Sequence, residues 1–174
     1  DEYGVLFNKD KTVLIQYPAG NTRTSYAIPD SVEFIVGNAF YHCKNLTSVI
    51  IPYSVIDIGN DAFSNCESLT SVIIPDSVLS IGSNAFYNCS SLVSVKISGS
   101  VTSIGERAFG WCKSLESITV DSTNTSYSSD EYGVLFNKDK TVLIQYPTGN
   151  TRTSYTIPDS VTGIEDSAFE FCAN

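Results

Sequence analysis

Methionine is absent from the 174 residues of the sequence, tryptophan and histidine occur once each, and only 17% of the residues are charged. Ten basic residues stand against 19 acidic ones, which gives a formal net charge of −9. Because nucleic acids and anionic lipid surfaces are bound mainly through lysine and arginine, this shortage of basic residues argues against both kinds of partner. Long apolar runs of roughly 18 residues are also missing, so we expect no membrane insertion.

The first residues have neither the basic and apolar regions of a secretion signal nor an initiator methionine. We therefore expect the chain to be a fragment of a longer protein, and its localisation has to be argued from other features. Apolar residues make up 42% of the chain, which is enough to form a buried core.

A period of 23 residues runs through the sequence and indicates a stack of similar units, here called rungs. The positions that keep this step are Ile28, Ile51 and Ile74, each followed by Pro; Phe40, Phe63, Phe86 and Phe109; Cys43, Cys66, Cys89 and Cys112; and Leu46, Leu69, Leu92 and Leu115. One unit buries too few apolar side chains to offset the entropy of ordering its backbone. We therefore expect each rung to cover the apolar flank of the next, with the phenylalanines aligned in a shared interior.

The sequence also contains a second, longer repeat. Residues 1–32 recur as 130–161 and differ only at Ala19/Thr148 and Ala27/Thr156. The unit that contains the second copy has 37 residues, and its extra part reads as two β-rich runs around the polar segment 137–140. This pattern predicts a β-hairpin inserted into one rung.

Within a regular unit the apolar spacing changes along the chain. Val72 and Ile74 alternate as in a short strand, and Val55 to Ile58 reads as a second extended segment that ends at Gly59, where we expect a positive φ. The following Ala62, Phe63, Cys66 and Leu69 have three- and four-residue spacing, which predicts a short helical turn.

The predicted fold is therefore an α/β repeat solenoid, leucine-rich-repeat-like, with a parallel strand, an extended segment and a helical turn per rung. We expect a single solenoid over 1–174, with hairpin-bearing variant repeats at about 1–27 and 120–156. Unpaired rungs at the two ends would favour end-to-end self-association.

The columns L-x-x-V-x-I-P and S-V-x-x-I-G-x-x-A-F-x-x-C resemble the BspA-like leucine-rich repeat family over essentially the whole chain. The departures are local: Val36 and Glu165 replace the corner glycine, and Ile97-Ser98 and Val120-Asp121 lack the proline. The resemblance implies a curved solenoid on secreted or surface proteins of bacteria and some protists, used in adhesion to host proteins or other cells.

The residue types that carry catalysis occur here in repeated columns or in variable positions. The cysteines form a linear column, which does not converge on a metal, so we interpret them as buried free thiols. His42 occupies a position that other rungs fill with different residues, and the recurring serines Ser31, Ser54, Ser77, Ser100 and Ser160 are expected to bond the backbone at a bend. We therefore predict a non-catalytic protein without metal or cofactor.

Two surfaces are candidates for binding. The first is the outward side of the predicted strands; the second is an aromatic ridge formed by Tyr41, Tyr87 and Trp111. The candidate residues of the strand surface are Ser48, Ile50, Tyr53, Ser71, Ile73, Asp76, Ser94, Lys96, Ser117 and Thr119. In the alternative interpretation these are ordinary β-forming and surface aromatic residues without a partner.

The leading hypothesis is an extracellular or cell-surface adhesion module that binds surface proteins, matrix proteins included. The alternative is a glycan-binding accessory module, or a spacer, of a secreted or surface protein. Asn45, Asn88 and Asn124 fit the glycosylation sequon, which matters only in a secreting eukaryote.

Overall fold

Hydrogen bonding between successive 23-residue units builds the structure. The computed structural model describes residues 1–172, which contain fifteen strands in three sheets. The strands are β1 (Leu6–Phe7), β2 (Val13–Gln16), β3 (Ser25–Ala27), β4 (Phe34–Ile35), β5 (Ser48–Ile50), β6 (Asp57–Ile58), β7 (Ser71–Ile73), β8 (Ser80–Ile81), β9 (Ser94–Ile97), β10 (Ser103–Ile104), β11 (Ser117–Val120), β12 (Tyr127–Ser129), β13 (Leu135–Asn137), β14 (Val142–Gln145) and β15 (Gly163–Ile164). Within 1–172 no helix is long and apolar enough to span a bilayer.

Each regular rung contributes one strand to each of two parallel sheets. Sheet A has the order β1-β2-β4-β6-β8-β10 and sheet B the order β11-β9-β7-β5-β3, with only β1 antiparallel to its neighbour. The register aligns residues one period apart, for example Ile58 with Ile81. Val72 and Ile74 point inward and are buried, as their alternation predicts.

The phenylalanine column forms the centre of the core. Phe40, Phe63, Phe86 and Phe109 are buried, and their rings stack at centroid distances of 4.7, 5.1 and 5.6 Å along the column. Tyr17 of the first hairpin unit continues the column, with its ring 5.2 Å from that of Phe40. The prediction that these rings share one interior is confirmed.

The predicted helical turn is wrong, because residues 1–172 contain no helix. The Ala-Phe segment is instead a series of tight turns in which every second N–H group bonds to the next rung. Ala62 N donates to Gly59 O of its own rung at 3.2 Å, whereas Phe63 N donates to Ala85 O of the following rung at 2.7 Å. Asp61 and Asn65 have positive φ (55° and 62°), which interrupts any helical path.

The positive φ expected at the corner glycine is wrong, since Gly59, Gly82 and Gly105 do not have it. Glycine is needed at this corner because neighbouring rungs approach closely there. A Cβ atom on Gly59 would lie 2.6 Å from the backbone N of Gly37, and one on Gly105 would lie 2.3 Å from the backbone N of Ser83. Val36 and Glu165, which replace this glycine, each follow a hairpin unit, and their N–H groups donate to Leu14 O and Leu143 O. Another residue therefore replaces the corner glycine only in a rung that directly follows a hairpin unit.

The inserted hairpins are confirmed. β1 pairs antiparallel with β2, and β13 pairs in the same way with β14, which shows the same local structure in both copies. β12, β13, β14 and β15 form a separate sheet C, so sheet A does not continue past β10. A second core cluster, centred on Phe136, Leu143 and Tyr146, lies on the far side of this break.

Asn124 fixes the chain at the entry to the second hairpin unit. Its side chain is fully buried; the amide nitrogen donates to Ser98 O and Val101 O at 2.8 and 2.9 Å, and the oxygen accepts from the N–H groups of Ser126 and Tyr127. All four hydrogen-bonding positions of the amide are used. Of the three sequon asparagines, Asn45 is exposed, whereas Asn124 has a structural role that sequence analysis missed.

Candidate binding surfaces

The outward side of sheet B presents the residues that the strand alternation predicts, and we call it the strand face. The serines at 25, 48, 71, 94 and 117 lie side by side in one row, and a second row is formed by Ala27, Ile50, Ile73, Lys96 and Thr119. All ten candidate residues of this surface are exposed or half-buried. Adjacent strands in such a sheet are about 4.8 Å apart, so side chains of one row contact one another.

The centre of the strand face is apolar. Ile50 and Ile73 are 67% and 74% exposed, and Tyr53, which follows β5, is 79% exposed. Such exposed, adjacent large apolar side chains are characteristic of partner-binding sites. Asp76, one period after Tyr53, and Lys96, which is aligned with Ile73 in the next strand, are the charged residues beside the patch; Lys96 Nζ lies 4.0 Å from Asp121 Oδ2.

The predicted aromatic ridge is divided into two parts. Tyr41 lies against His42, with ring centroids 4.3 Å apart, while the Tyr87 and Trp111 rings lie 5.8 Å apart two rungs further along the stack. Ser64 occupies the tyrosine position in the intervening rung, so Tyr41 and Tyr87 do not contact each other. Phe171, which sequence analysis did not include, packs on Trp111 at a centroid distance of 4.0 Å.

The cysteine thiols are free and have a structural role. Cys66, Cys89 and Cys112 each donate a hydrogen bond to the phenylalanine carbonyl of the preceding rung, at 3.1, 3.3 and 3.1 Å. Burial raises the pKa of Cys89 well above its usual range, and the hydrogen bond with Cys43 together with burial does the same for Cys66. A protonated, enclosed thiol is a poor nucleophile and a poor metal ligand.

The serine column bonds the backbone, as predicted. Ser54 Oγ donates to Val32 O at 2.7 Å and Ser77 Oγ donates to Val55 O at 2.6 Å, both in the preceding rung. The corresponding bonds of the other members are those of Ser31, Ser100 and Ser160 to Lys11 O, Asp76 O and Lys140 O. These hydroxyls therefore link each unit to the preceding one by hydrogen bonds.

His42 occupies a left-handed turn position rather than a site. Its φ is 58°, and the equivalent Asn65, Asn88 and Trp111 have φ between 54° and 62°. Asparagine tolerates this conformation better than most residues, which explains its recurrence there. The backbone conformation at this position is therefore constant, whereas the side chain differs between rungs.

A cleft of about 520 Å3 opens where the second hairpin unit meets the last regular rung. Its apolar lining comes from Ile104, Tyr127, Leu135, Val142 and Ile144, and its polar lining from Glu106, Arg107, Asn137, Gln145, Glu165 and Asp166. The register explains the opening. At the corner from sheet A to sheet B, Ser48 lies thirteen positions after Ile35 in a regular rung, but Ser25 lies only eleven positions after Leu14 in a hairpin unit.

The shorter corner of the hairpin unit was present in the sequence as a signal. Residues 143–154 repeat 14–25. The number of residues in this segment could have shown that the corner of the hairpin unit is shorter than the corners of its neighbours. The cleft itself was not predicted, since its lining residues come from separate parts of the chain. No group of three or more His, Cys, Asp or Glu side chains placed to hold a metal ion occurs in the described part, residues 1–172.

The sequence matches the family model described as "BspA type Leucine rich repeat region", with six copies over residues 19–133 and 148–174. The chain belongs to this family. The two segments that the BspA-type model leaves out, 1–18 and 134–147, contain the hairpins β1–β2 and β13–β14. The hairpins are thus additions to a regular BspA-type array.

Solved structures of leucine-rich repeat proteins resemble this BspA-type chain. A leucine-rich repeat protein from Eubacterium ventriosum is 26% identical, with a TM-score of 0.70 over 91% of this chain and 50% of that one. The pneumococcal vaccine antigen PcpA is 25% identical, with a TM-score of 0.66 over 91% of this chain and 46% of that one. A leucine-rich repeat protein from Bacteroides capillosus is 29% identical, with a TM-score of 0.59 over 67% and 92%.

The chain spans about half the length of the first two of these structures. A comparison with curated protein sequences gives no significant match. The comparisons therefore establish a BspA-type leucine-rich repeat solenoid, a fold that generally serves as a scaffold for interactions.

Proposed function

We propose that this chain is a non-catalytic, surface-exposed interaction module that binds surface proteins of host or neighbouring cells through the strand face. The observation that carries the proposal is the exposed, contiguous patch of Ile50, Ile73 and Tyr53 on a sheet whose inward side is fully committed to the core. The similarity to a pneumococcal vaccine antigen supports an extracellular or cell-surface location. The recurring cysteines and serines support a scaffold role because their polar atoms bond the backbone.

Binding to extracellular matrix proteins tests this proposal. We expect the double substitution Ile50→Asp and Ile73→Asp to weaken binding to an immobilised matrix protein at least tenfold, since both anchors are replaced by charges that resist desolvation. The measurement is surface plasmon resonance against fibronectin, laminin and collagen.

Two further variants separate loss of binding from loss of fold. Leu79→Asp, on a half-exposed residue that precedes β8 in sheet A, is the matched control and should leave binding unchanged. Ile50→Thr with Ile73→Thr keeps the β-forming character that Thr119 has in the same row and should also lose most of the affinity. Unchanged binding by both double variants would contradict the proposal.

Glycan binding is a second candidate, favoured by the half-buried Tyr87 and Trp111, whose ring centroids lie 5.8 Å apart, because aromatic rings can stack on sugars. We expect any signal on a glycan array to fall at least fivefold in the variant Tyr87→Ser with Trp111→Asn. Ser64 and Asn88 hold these positions in other rungs, so the variant should fold. A blank array for the unaltered protein removes this candidate.

A further inference from the structure

Tyr53 stands between two acidic residues at the edge of the strand face. Asp30 and Asp76 occupy the same position in the preceding and the following rung, and both side chains are exposed. The rungs are held in line at this bend, because Ser54 Oγ donates to Val32 O of the preceding rung at 2.7 Å and the next rung repeats this bond. Since neighbouring rungs are about 4.8 Å apart, the tyrosine has one carboxylate on each side.

Neither of these carboxylates has a partner within residues 1–172. The side chains of Asp30 and Asp76 make no hydrogen bond and no ion pair there. Lys96, the basic residue among the strand-face residues, has its Nζ 4.0 Å from Asp121 Oδ2 instead. The strand face therefore presents an uncompensated negative charge on either side of an exposed aromatic ring.

The same molecule twice places an arginine on the face of a tyrosine ring. Arg23 Cζ lies 3.8 Å from the ring centroid of Tyr3, and Arg152 Cζ lies 3.7 Å from that of Tyr132. Each of these tyrosines directly follows a glutamate in the chain. Tyr53 offers the same two groups, a ring that is 79% exposed and neighbouring carboxylates, but no cation of residues 1–172 lies over it.

An arginine side chain of a partner fits both features of this position. Its planar guanidinium stacks on aromatic faces, and its five N–H donors point in several directions, so that it can pair with carboxylates on two sides. A lysine ammonium is a compact, strongly hydrated charge that is less suited to a ring face. Acidic groups would be repelled by both aspartates and by the net charge of −9.

The apolar part of the strand face lies directly beside this position. Ile50 precedes Tyr53 by three residues, and Ile73 precedes Asp76 by the same interval. The two isoleucines are 67% and 74% exposed. An apolar side chain next to the arginine would pack on them and exclude water from the ion pairs, which is the arrangement of binding hot spots.

We propose that the strand face binds its partner protein through a surface arginine. The guanidinium stacks on the Tyr53 ring and pairs with Asp30 and Asp76. An apolar side chain of the partner, adjacent to the arginine, packs on Ile50 and Ile73. This inference rests on the function proposed for the strand face and names the chemistry of the partner.

A peptide titration followed by NMR tests the role of the arginine. The probe is Ac-Gly-Arg-Ser-Leu-Gly-NH2, which places arginine and leucine on the same side of an extended chain. The matched peptide carries citrulline, which has the shape of arginine without its charge. We expect the arginine peptide to bind at about 0.1–1 mM and to shift the ring protons of Tyr53, and the citrulline peptide to bind at least fivefold more weakly. Equal affinities, or no shift of this ring with either peptide, would overturn the proposal.

Protein variants identify the groups that hold the peptide. Asp30→Asn with Asp76→Asn should weaken the arginine peptide at least fivefold and leave the citrulline peptide unchanged, since only charge is removed. Asp139→Asn with Asp159→Asn removes the same charge from two exposed positions outside the strand face and is the control. Tyr53→Ala should also lose at least fivefold, whereas Tyr53→Phe keeps the ring and should stay within twofold. Equal losses in the two aspartate pairs would show that net charge alone is responsible, against the proposal.

The binding assay with matrix proteins separates this inference from the function on which it rests. We expect both Ile50→Thr with Ile73→Thr and Asp30→Asn with Asp76→Asn to lose binding. If only the isoleucine variant loses it, the strand face is the site and the arginine inference alone is overturned. If both variants bind fully, the proposed function fails as well. Peptide binding that depends on Tyr53 and the two aspartates would support the arginine site even if no matrix protein bound.

Discussion

Replacing Phe86 with alanine should destabilise the protein by about 3–5 kcal/mol, the range for removal of a fully buried aromatic side chain. Phe86 has no exposed surface and contacts the rings of Phe63 and Phe109 on its two sides. Its loss therefore removes two stacking contacts and leaves a cavity in the middle of the column. The neighbouring rungs cannot close on this cavity, because hydrogen bonds fix their separation.

Urea denaturation followed by far-ultraviolet circular dichroism measures this effect. Tyr53→Ala is the control, since it removes an aromatic ring of similar size that is 79% exposed, and we expect it to change the free energy of unfolding by less than about 0.5 kcal/mol. Similar free energies for the two variants would show that the phenylalanine column does not hold the rungs together.

The second large effect is expected from Gly82→Ala. The added Cβ atom would lie 2.5 Å from the backbone N of Asn60 and 2.6 Å from the backbone C of Gly59. Since both atoms belong to the preceding rung's main chain, they cannot rotate away as a flexible side chain could. We expect a loss of about 2–4 kcal/mol, because the two rungs must separate at this corner.

Gly20→Ala is the matched control for this substitution, and the same denaturation experiment measures it. A Cβ atom on Gly20 has no neighbour within 4 Å, so the change should be neutral or should stabilise by up to about 1 kcal/mol through the unfolded state. If Gly82→Ala were tolerated equally well, the close approach of the corners would not be the reason for the conserved spacing of glycine along this chain's rungs.

The period of the sequence was sufficient to predict the stack, the buried phenylalanine column and the outward residues of the strand face. These features depend on which residues recur at 23-residue steps, and Ile50 and Ile73 are exposed because the side chains of a strand alternate. The same reasoning could not identify a ligand, since the strand face is defined by exposure and not by a chemical group specific to one partner.

The repeat period could not predict the conformation of the turn between the two strands of a rung. Ala62, Phe63 and Cys66 have a spacing that fits a helix and a succession of tight turns equally well. What separates the two is the destination of the N–H groups, which are shared between rungs, and the left-handed conformation at Asp61 and Asn65. Recurrent asparagine at positions 38, 65, 84 and 88 was the available signal for that conformation.

The cleft beside the second hairpin unit could not be predicted, because it arises from a difference in corner length between two neighbouring layers. The residues that line the cleft, among them Ile104, Arg107 and Glu165, are far apart in the sequence. The repeat period identified the variant unit at 120–156 but gave no indication of an opening beside it.

The end of sheet A at β10 also has a mechanical consequence. A force applied along the stack is resisted in most of the molecule by ladders of backbone hydrogen bonds on both sheets, which have to rupture together. Between Ile104 and Val142 that resistance is provided on one side only. Under tension the molecule should therefore bend open at this joint first, while the blocks on either side of it stay folded.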